Sequence, residues 1–436
     1  MTGITHGRVL RIAGPIVLSN ATVPLLGAVD TAVIGQLGDA ASLGAVGIGA
    51  VILATLYWAF GFLRMSTSGL AAQAQGAGDM GERTAVLVRA LIVGTAAGLT
   101  LVLAQVVLFA AAFWVAPATP KVEALAHDYL SIRIWGAPAT IALYALTGWL
   151  MGLERTRGVL ILQLWQNGLN ILLDLWFVLG LGWGVPGVAV ATLIAEWTGL
   201  ALALWLARDA FGPAFRDAAA RLGDRLSIRR MFSASRDIMV RTVLLQLSFT
   251  TFVFLGARFG DVTLAANQVL MQFLEITAYA LDGFAIAAET LVGQAIGARS
   301  VRQVQAAGRI CLQWGFGGGI GLALLFALAG PPIIDLMTTA PEVREAARAY
   351  LPWLVAAPLI GVAAWVFDGI FIGALLTGDM VRTMLVSVAI YAVALAVLVP
   401  VTGNHGLWAA LMVLNASRTV TLWRRYPKVA ARAGQA

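Results

Sequence analysis

Long apolar segments recur along the whole chain and are separated by short stretches rich in polar residues, glycine or proline. Each segment is long enough for a helix of about 20 residues, the length that crosses a bilayer. The pattern predicts twelve helices, at residues 9–37, 42–75, 85–115, 123–153, 158–182, 186–209, 233–256, 263–297, 302–331, 343–376, 379–401 and 404–424. The predicted fold class is therefore an all-α polytopic membrane protein.

The chain also repeats itself at a fixed spacing. At a shift of 221 residues, Leu70, Gln73, Ala74, Gly76 and Ala77 recur as Leu291, Gln294, Ala295, Gly297 and Ala298, and Gly148 and Gly152 recur as Gly369 and Gly373. Each half holds six spans, an even number, so both copies have the same orientation. Parallel repeats are a transporter architecture. The predicted domains are an N-lobe (1–209), a linker (210–232), a C-lobe (233–424) and a tail (425–436).

The basic residues indicate which side of the membrane each loop occupies. With the N-terminus inside, the outer loops and the adjoining helix ends carry only Lys121, Arg258, Arg344 and Arg348. Arginines crowd the opposite side, above all in the connector at 210–230. Because cytoplasmic loops are enriched in Lys and Arg, both termini are predicted to be cytoplasmic. The excess of basic residues thus reflects the orientation of the chain in the membrane, and no nucleic-acid partner is expected.

Composition excludes several classes of protein. Of the 436 residues, 60% are hydrophobic and only 12% are charged, about half the charged share of an ordinary soluble domain. The single cysteine, Cys311, allows no intrachain disulfide and no thiolate metal cluster. The chain has no phosphate-binding loop of the Gly-x-x-x-x-Gly-Lys type, so active transport by this chain alone must draw on an ion gradient.

Ionisable residues inside apolar spans carry the most information, because a carboxylate at the bilayer centre costs at least about 2.5–3.5 kcal/mol. Asp30 lies deep in the first span and Asp174 in the fifth. Asn170 precedes Asp174 by four residues, so both face the same way on one helix, and Thr192 adds a hydroxyl from the sixth span. We expect these side chains to form one pocket that binds a proton or sodium. The alternative is a buried network that only fixes packing.

Two prolines lie in the same span as Asp30. Pro15 and Pro24 each remove a backbone hydrogen bond, so the first helix is predicted to bend. Burial and mutual repulsion both disfavour two charged carboxylates in the pocket. Binding of a cation would relieve both and bias two helix arrangements of similar energy.

The second half carries a different set of polar residues. Gln268, Gln272 and Glu275 share one face of the eighth span. They are expected either to line a cavity or to pair with Arg241 in the seventh span. Asp282, also in the eighth span, lies deeper, and we favour a functional role for it.

Three further residues are candidates for lining a substrate cavity. Asp368 lies deep in the tenth span, and a functional role is favoured for it as well. Trp58 and Trp149 are the other two. For both tryptophans the alternative is anchoring at the membrane interface.

The motifs together resemble the MATE family (multidrug and toxic compound extrusion), and within it the branch named for DNA-damage-inducible protein F. The resemblance covers nearly the whole chain. It is carried by Pro15 with Asp30, the Asn170-x-x-x-Asp174 spacing with Thr192, GLAAQAQGAGD at 69–79, DGFAIAAETLVGQAIGA at 282–298 and FDGIFIGALLTGD at 367–379.

The resemblance implies two six-helix bundles around a central cleft in the cell inner membrane. It implies export of cationic, amphipathic compounds in exchange for protons or sodium, with no other cofactor, by a monomer. Asp30, Asn170, Asp174 and Thr192 match the family's N-lobe cation site. Pro15 matches the bending position of the first helix, and Asp368 matches an aspartate of the tenth helix. Here the seventh helix lacks the glutamate found in other branches, which puts a C-lobe coupling site in doubt.

Two other functions are weighed against an antiporter. A flippase for lipid-linked precursors, from the wider superfamily, would favour more spans and a cationic central cavity. A membrane-embedded enzyme ranks last, because no metal triad and no nucleophile beside a base is visible. For the coupling ion we favour the proton over sodium, since a carboxyl pair binds it without a complete shell of ligands.

Overall fold

The computed structural model describes residues 3–36, 38–115 and 117–435, apart from the side chains at 23–28, 31 and 435. The described chain is almost entirely helical and contains no strand. Its helices are α1 (His6–Gly35), α2 (Ala40–Trp58), α3 (Phe62–Ala77), α4 (Met80–Val115), α5 (Pro120–Arg133), α6 (Ala137–Gly152), α7 (Thr156–Asp174), α8 (Gly184–Leu206), α9 (Ala214–Arg221), α10 (Arg225–Gly256), α11 (Asp261–Gly297), α12 (Val301–Met337), α13 (Pro341–Gly373), α14 (Thr377–Thr402) and α15 (Asn404–Gln435). An all-α multi-pass membrane fold is thus confirmed.

Each predicted span coincides with one of these helices or with a pair of them. The span at 42–75 is divided by a turn at 59–61 into α2 and α3, and the span at 123–153 by a 3-10 turn at Ile134–Gly136 into α5 and α6. Nine helical stretches within the described residues are long and apolar enough to cross a membrane. Among the predicted spans, those on α1, α7 and α15 are not in this set. Polar residues interrupt the apolar sequence of α7, at Asp174, and of α15, at Arg418.

The chain divides into two compact units. The N-unit comprises Leu18–Gln75 and Asp79–Met231, and the C-unit comprises Met1–Val17, Gly76–Gly78 and Phe232–Ala436. The helix α1 begins in the C-unit and continues into the N-unit at Leu18. The lobe boundaries predicted from the sequence remain predictions.

Each unit has its own apolar core. In the N-unit, Ile34, Leu53, Leu63 and Leu130 are almost fully buried. In the C-unit, Phe252 packs edge-on against Trp408, with ring centroids 4.7 Å apart. The indole N–H of Trp408 donates to Asn267 Oδ1 over 2.9 Å. The apolar faces of the helices thus meet one another, and buried polar groups find partners inside the helix bundle.

Close helix contacts recur at the spacing of the sequence repeat. In the N-unit, a Cβ added to Gly148 on α6 would overlap the carbonyl oxygen of Arg64 on α3. In the C-unit, a Cβ added to Gly369 on α13 would overlap the carbonyl oxygen of Ala285 on α11. Both partners of the second contact lie 221 residues after those of the first. The repeat is therefore a repeat of helix packing through small residues.

The connector between the halves is an ordered part of the N-unit. It contains a 3-10 turn at Arg208–Phe211, the helix α9 and the first turns of α10. Asp209 forms an ion pair with Arg155 at 2.6 Å, and Arg221 forms one with Asp79 at 2.7 Å. The charges of this polar stretch bind residues at the ends of neighbouring helices.

Candidate functional site

Four polar side chains predicted to share a pocket lie together in the N-unit. The amide of Asn170 is at their centre. Its nitrogen lies 3.1 Å from Asp30 Oδ1 and 3.1 Å from Asp174 Oδ2, and its oxygen lies 3.0 Å from Thr192 Oγ1. This orientation of the amide places N–H donors on the carboxylates and the oxygen on a hydroxyl donor. Four side chains from α1, α7 and α8 thereby form one hydrogen-bonded group.

The local fold explains why α7 contributes two of the four. Asn170 and Asp174 are one turn apart on the buried face of α7, and their exposed fractions are 1% and 0%. Leu172 lies between them and points outward, 66% exposed. Immediately after Asp174 the backbone widens into a π-helical segment, Leu175–Gly180. Such segments are rare and often accompany functional sites.

The two carboxyl groups are close enough to share a hydrogen bond. A carboxylate can only accept, so this bond exists only when one of the pair carries a proton. Asp174 Oδ1 is buried and receives no hydrogen bond from an N–H or hydroxyl group of the described residues. A proton held by the pair, or a bound cation, would give this buried oxygen atom a partner. Within the described residues, no group of three or more His, Cys, Asp or Glu side chains is placed to hold a metal ion.

A buried ion pair lies beside the acidic pair. Arg133 Nη1 contacts Glu196 Oε2 at 2.7 Å, and both side chains are about nine-tenths buried. The positive charge of Arg133 attracts the carboxylates of Asp30 and Asp174. Because Glu196 already binds this guanidinium, Arg133 is not a fixed counter-ion for the two aspartates. Glu196 lies on α8, one helical turn after Thr192.

Another polar contact ties α1 to α7 near the pocket. Asn167 Nδ2 donates to Thr22 Oγ1 over 2.9 Å. Sequence reasoning missed both residues, although Asn167 lies one helical turn before Asn170 and faces the same way. The helix α1 runs unbroken through Pro15, and the side chain of Pro24 lies outside the described residues. The bending roles of the two prolines remain predictions.

The C-unit contains a cavity of about 480 Å³ beside α11. Gln272 lines it, as does the rest of the predicted polar face of α11. The lining residues are Leu245, Gln246, Phe249, Thr250, Val253, Phe254, Gln268, Met271, Gln272, Leu274, Glu275, Ala278 and Trp365. Of the two alternatives for this face, the structure therefore favours lining a cavity over pairing with Arg241. Asp282 is half-buried further along α11 and is not part of the lining.

Asp368 lies in a cluster of charges instead of the cavity wall. Its Oδ2 atom binds the guanidinium groups of both Arg241 and Arg418, the latter at 2.5 Å. Arg418 also donates to Asn415 Oδ1 over 3.1 Å. All three charged side chains are about nine-tenths buried or more. The tenth-span aspartate therefore has two built-in cationic partners, and Arg418 is a member that sequence reasoning missed.

The two candidate tryptophans lie in different surroundings. Trp149 is fully buried, donates its indole N–H to the carbonyl oxygen of Arg83 over 2.9 Å, and has the guanidinium of Arg155 5.3 Å from its ring. It packs inside the N-unit, with its side chain closed off from solvent. Trp58 is 42% exposed at the end of α2.

Comparison with known proteins places this arrangement in a family. The MatE family model matches residues 15–176 and 238–398, one stretch in each half. DNA damage-inducible protein F of Escherichia coli (strain K12) is 41% identical over 95% of this chain and 91% of its own length. A probable multidrug resistance protein NorM of Deinococcus radiodurans is 30% identical over 73% of this chain and 69% of its own length.

Solved structures show the same fold at lower identity. The Vibrio cholerae MATE transporter VcmN in the bent form superposes with a TM-score of 0.85 and 21% identity, over 99% of this chain and 98% of that one. A MATE structure in the bent conformation gives a TM-score of 0.88 at 18% identity, over 98% and 95%. From the extent of the family match and the identity to its relatives, the chain belongs to the MatE family and is a MATE-type membrane transporter.

Proposed function

We propose that this chain is a secondary antiporter that exports cationic, amphipathic compounds in exchange for an inward-moving proton. It acts by alternating access, as a monomer in the cell inner membrane with both termini in the cytoplasm. The observation that carries the proposal is the pairing of Asp30 with Asp174 around the amide of Asn170. Relatives named multidrug resistance proteins support the class of substrate.

The acidic pair can couple an ion to a change of shape because its charge decides how close the two helices can lie. With one proton shared, the carboxyls hold α1 and α7 together. With none, two like charges meet in a poorly solvated pocket and favour separation. A ligand drives such a cycle only if it binds the two arrangements with different affinity. The proton meets this condition, because the shared hydrogen bond exists only when the groups are adjacent.

The orientation of Asn170 favours the proton over sodium. Sodium is a hard cation and needs several oxygen ligands at once. At this site the amide turns its nitrogen, not its oxygen, towards Asp30 and Asp174. A sodium ion between the carboxylates would face N–H donors until the amide rotated, after which the amide nitrogen would donate to Thr192 Oγ1. A proton requires no such rotation.

The cavity in the C-unit supplies the chemistry expected for the exported compound. The carboxyl group of Glu275 offers a partner for a positive charge, and Phe249, Phe254 and Trp365 offer aromatic faces. Cations bind such faces through the ring quadrupole. A volume of about 480 Å³ falls in the range of sites for small organic molecules.

The test measures export of ethidium from proteoliposomes that contain the purified chain. One set carries a pH gradient without sodium, and a second carries a sodium gradient at equal pH. We expect transport with the pH gradient alone, and its loss in Asp30→Asn. The matched control is Asp128→Asn on α5, since Asp128 is exposed and lies outside the pocket. Undiminished transport by Asp30→Asn would refute the coupling site, and transport with the sodium gradient only would refute the proton.

A further inference from the structure

Large apolar side chains on the connector point away from the protein. Trp205 at the end of α8 is 58% exposed, and Leu226 at the start of α10 is 76% exposed. Between them, Phe211 and Phe215 are both exposed, and their rings contact each other at a centroid distance of 6.2 Å. Neighbouring exposed aromatic and aliphatic side chains in a polar connector are typical of a surface that binds a protein or a membrane.

The connector is held in place, so these side chains face a fixed direction. Asp209 is bound by Arg155 and Asp79 binds Arg221, while Arg89 donates to the carbonyl oxygen of Arg221 over 2.6 Å. Asp79 lies between two spans. Although burial acts to raise its pKa, the backbone N–H of Glu82 and the guanidinium of Arg221 hold that pKa below its usual value. The ion pair of Asp79 with Arg221 therefore stays charged at neutral pH.

Four arginines accompany the apolar side chains. Arg208, Arg216, Arg225 and Arg229 are exposed, and none of them forms an ion pair with a described residue. The guanidinium of Arg208 lies 4.4 Å from the centre of the Trp205 ring, at the point where the membrane-spanning helix α8 ends. Unpaired arginines beside aromatic residues at the end of a span are typical of segments that lie in the plane of the membrane surface.

We propose that residues 205–230, the last residues of α8 together with the connector, bind the surface of the lipid leaflet at which α8 ends. Phe211 and Phe215 enter the interface between headgroups and acyl chains. The four arginines bind phosphate groups of anionic phospholipids. Charge complementarity selects this partner, because basic residues next to a span gain about 1 kcal/mol each at an anionic surface. The surface is continuous with the lipid-facing end of α8, so the connector docks on lipid that the span already contacts.

One experiment places a nitroxide spin label at Phe215→Cys in the full chain, reconstituted in nanodiscs. Cys311 is fully buried, so labelling is confined to the new site, and Ala219→Cys gives a second exposed position on α9. We expect the Phe215 label to be more accessible to oxygen than to a water-soluble nickel chelate. This preference should increase when phosphatidylglycerol is added to phosphatidylcholine. Equal access to both reagents in both lipids would overturn the proposal.

A second experiment titrates phosphatidylglycerol onto the detergent-solubilised chain and counts bound lipids by native mass spectrometry. The variant R225Q/R229Q removes two unpaired arginines one helical turn apart on α10. The matched control R344Q/R348Q removes two arginines with the same spacing on α13, both of which contact Asp335. We expect about a fivefold loss of lipid affinity per arginine in the first variant, which corresponds to about 1 kcal/mol each, and little change in the control. Equal losses would show that the connector has no specific lipid surface.

Discussion

At the scale of single residues, the side chain of Asn170 decides how the acidic pair is held. Its two N–H groups reach Asp30 and Asp174 at once, while its oxygen shares the hydroxyl proton of Thr192 with the carbonyl oxygen of Val188. Buried amides that satisfy every donor and acceptor rigidify their surroundings. The threonine therefore acts on the carboxyls through the amide, without contacting them in this arrangement.

Replacing Thr192 tests that indirect role. In Thr192→Val the amide oxygen of Asn170 loses its donor, which costs about 1–3 kcal/mol for a buried group. We expect a lower midpoint of thermal unfolding and a displaced pH dependence of transport. Thr192→Ser keeps the hydroxyl and should retain the pH dependence of the native chain. If valine and serine behave alike in the pH profile, the amide is not oriented by this hydroxyl.

The ion pair of Arg133 and Glu196 gives a second prediction at this scale. Arg133→Gln leaves a buried carboxylate without its partner, and we expect destabilisation of about 3–5 kcal/mol. In the double variant R133Q/E196Q both charges are gone, so much of the stability should return. Chemical denaturation of the purified variants in detergent measures both effects. A double variant no more stable than R133Q would show that the pair is not an isolated unit.

At the scale of helices, the hydropathy pattern predicted where the long helices lie but not where they are interrupted. The turn at 59–61 that ends α2 falls inside an apolar run, and no proline or polar cluster marks it. The helix α9 was missed for a different reason. It is only eight residues long, and its stability depends on contacts with α4, such as that of Arg89 with the carbonyl oxygen of Arg221, that no local pattern contains.

Substitutions at the repeated glycines test the helix contacts of both units. Gly148→Ala and Gly369→Ala each place a methyl group against a backbone carbonyl on the neighbouring helix. Backbone cannot move aside as a flexible side chain can, so we expect about 1–3 kcal/mol of destabilisation from each.

The same substitution at two other helical glycines provides the controls. A Cβ at Gly158 on α7 makes only ordinary contacts, the nearest at 3.7 Å, and a Cβ at Gly317 on α12 has no neighbouring atom within 4 Å. Both controls should unfold at or above the temperature of the native chain. Thermal unfolding followed by intrinsic fluorescence distinguishes the four variants. Controls as unstable as Gly148→Ala would mean that the close approach is not responsible.

At the candidate sites too, relations within one helix could be predicted from the sequence, whereas partners far apart in sequence could not. Asn170 and Asp174 were predicted to share a face because they lie one turn apart on one helix, and they do. Asp368 was identified as a deep acid, but its partners Arg241 and Arg418 lie 127 and 50 residues away in sequence. A single sequence shows that a buried charge needs a partner, yet it cannot show which one the tertiary fold provides.

At the scale of the whole molecule, the distribution of arginines predicts that both termini face the cytoplasm. The nearly cysteine-free sequence makes this testable. We expect Gly3→Cys and Gly434→Cys to react with a membrane-impermeant maleimide only after the cells are permeabilised. Glu342→Cys, at the start of α13, should react in intact cells. Cys311 is fully buried and should give little background. Labelling of Gly434→Cys in intact cells would contradict the predicted orientation.

The glycine contacts shared by the two units bear on how such a protein can change over generations. A duplicated gene supplies two copies of one scaffold, and here the backbone contacts at Gly148 and Gly369 have survived in both. The charged residues have not: one copy holds two adjacent acids, and the other holds two arginines on one acid. The same backbone contacts can thus support two different sets of charged residues, one in each unit.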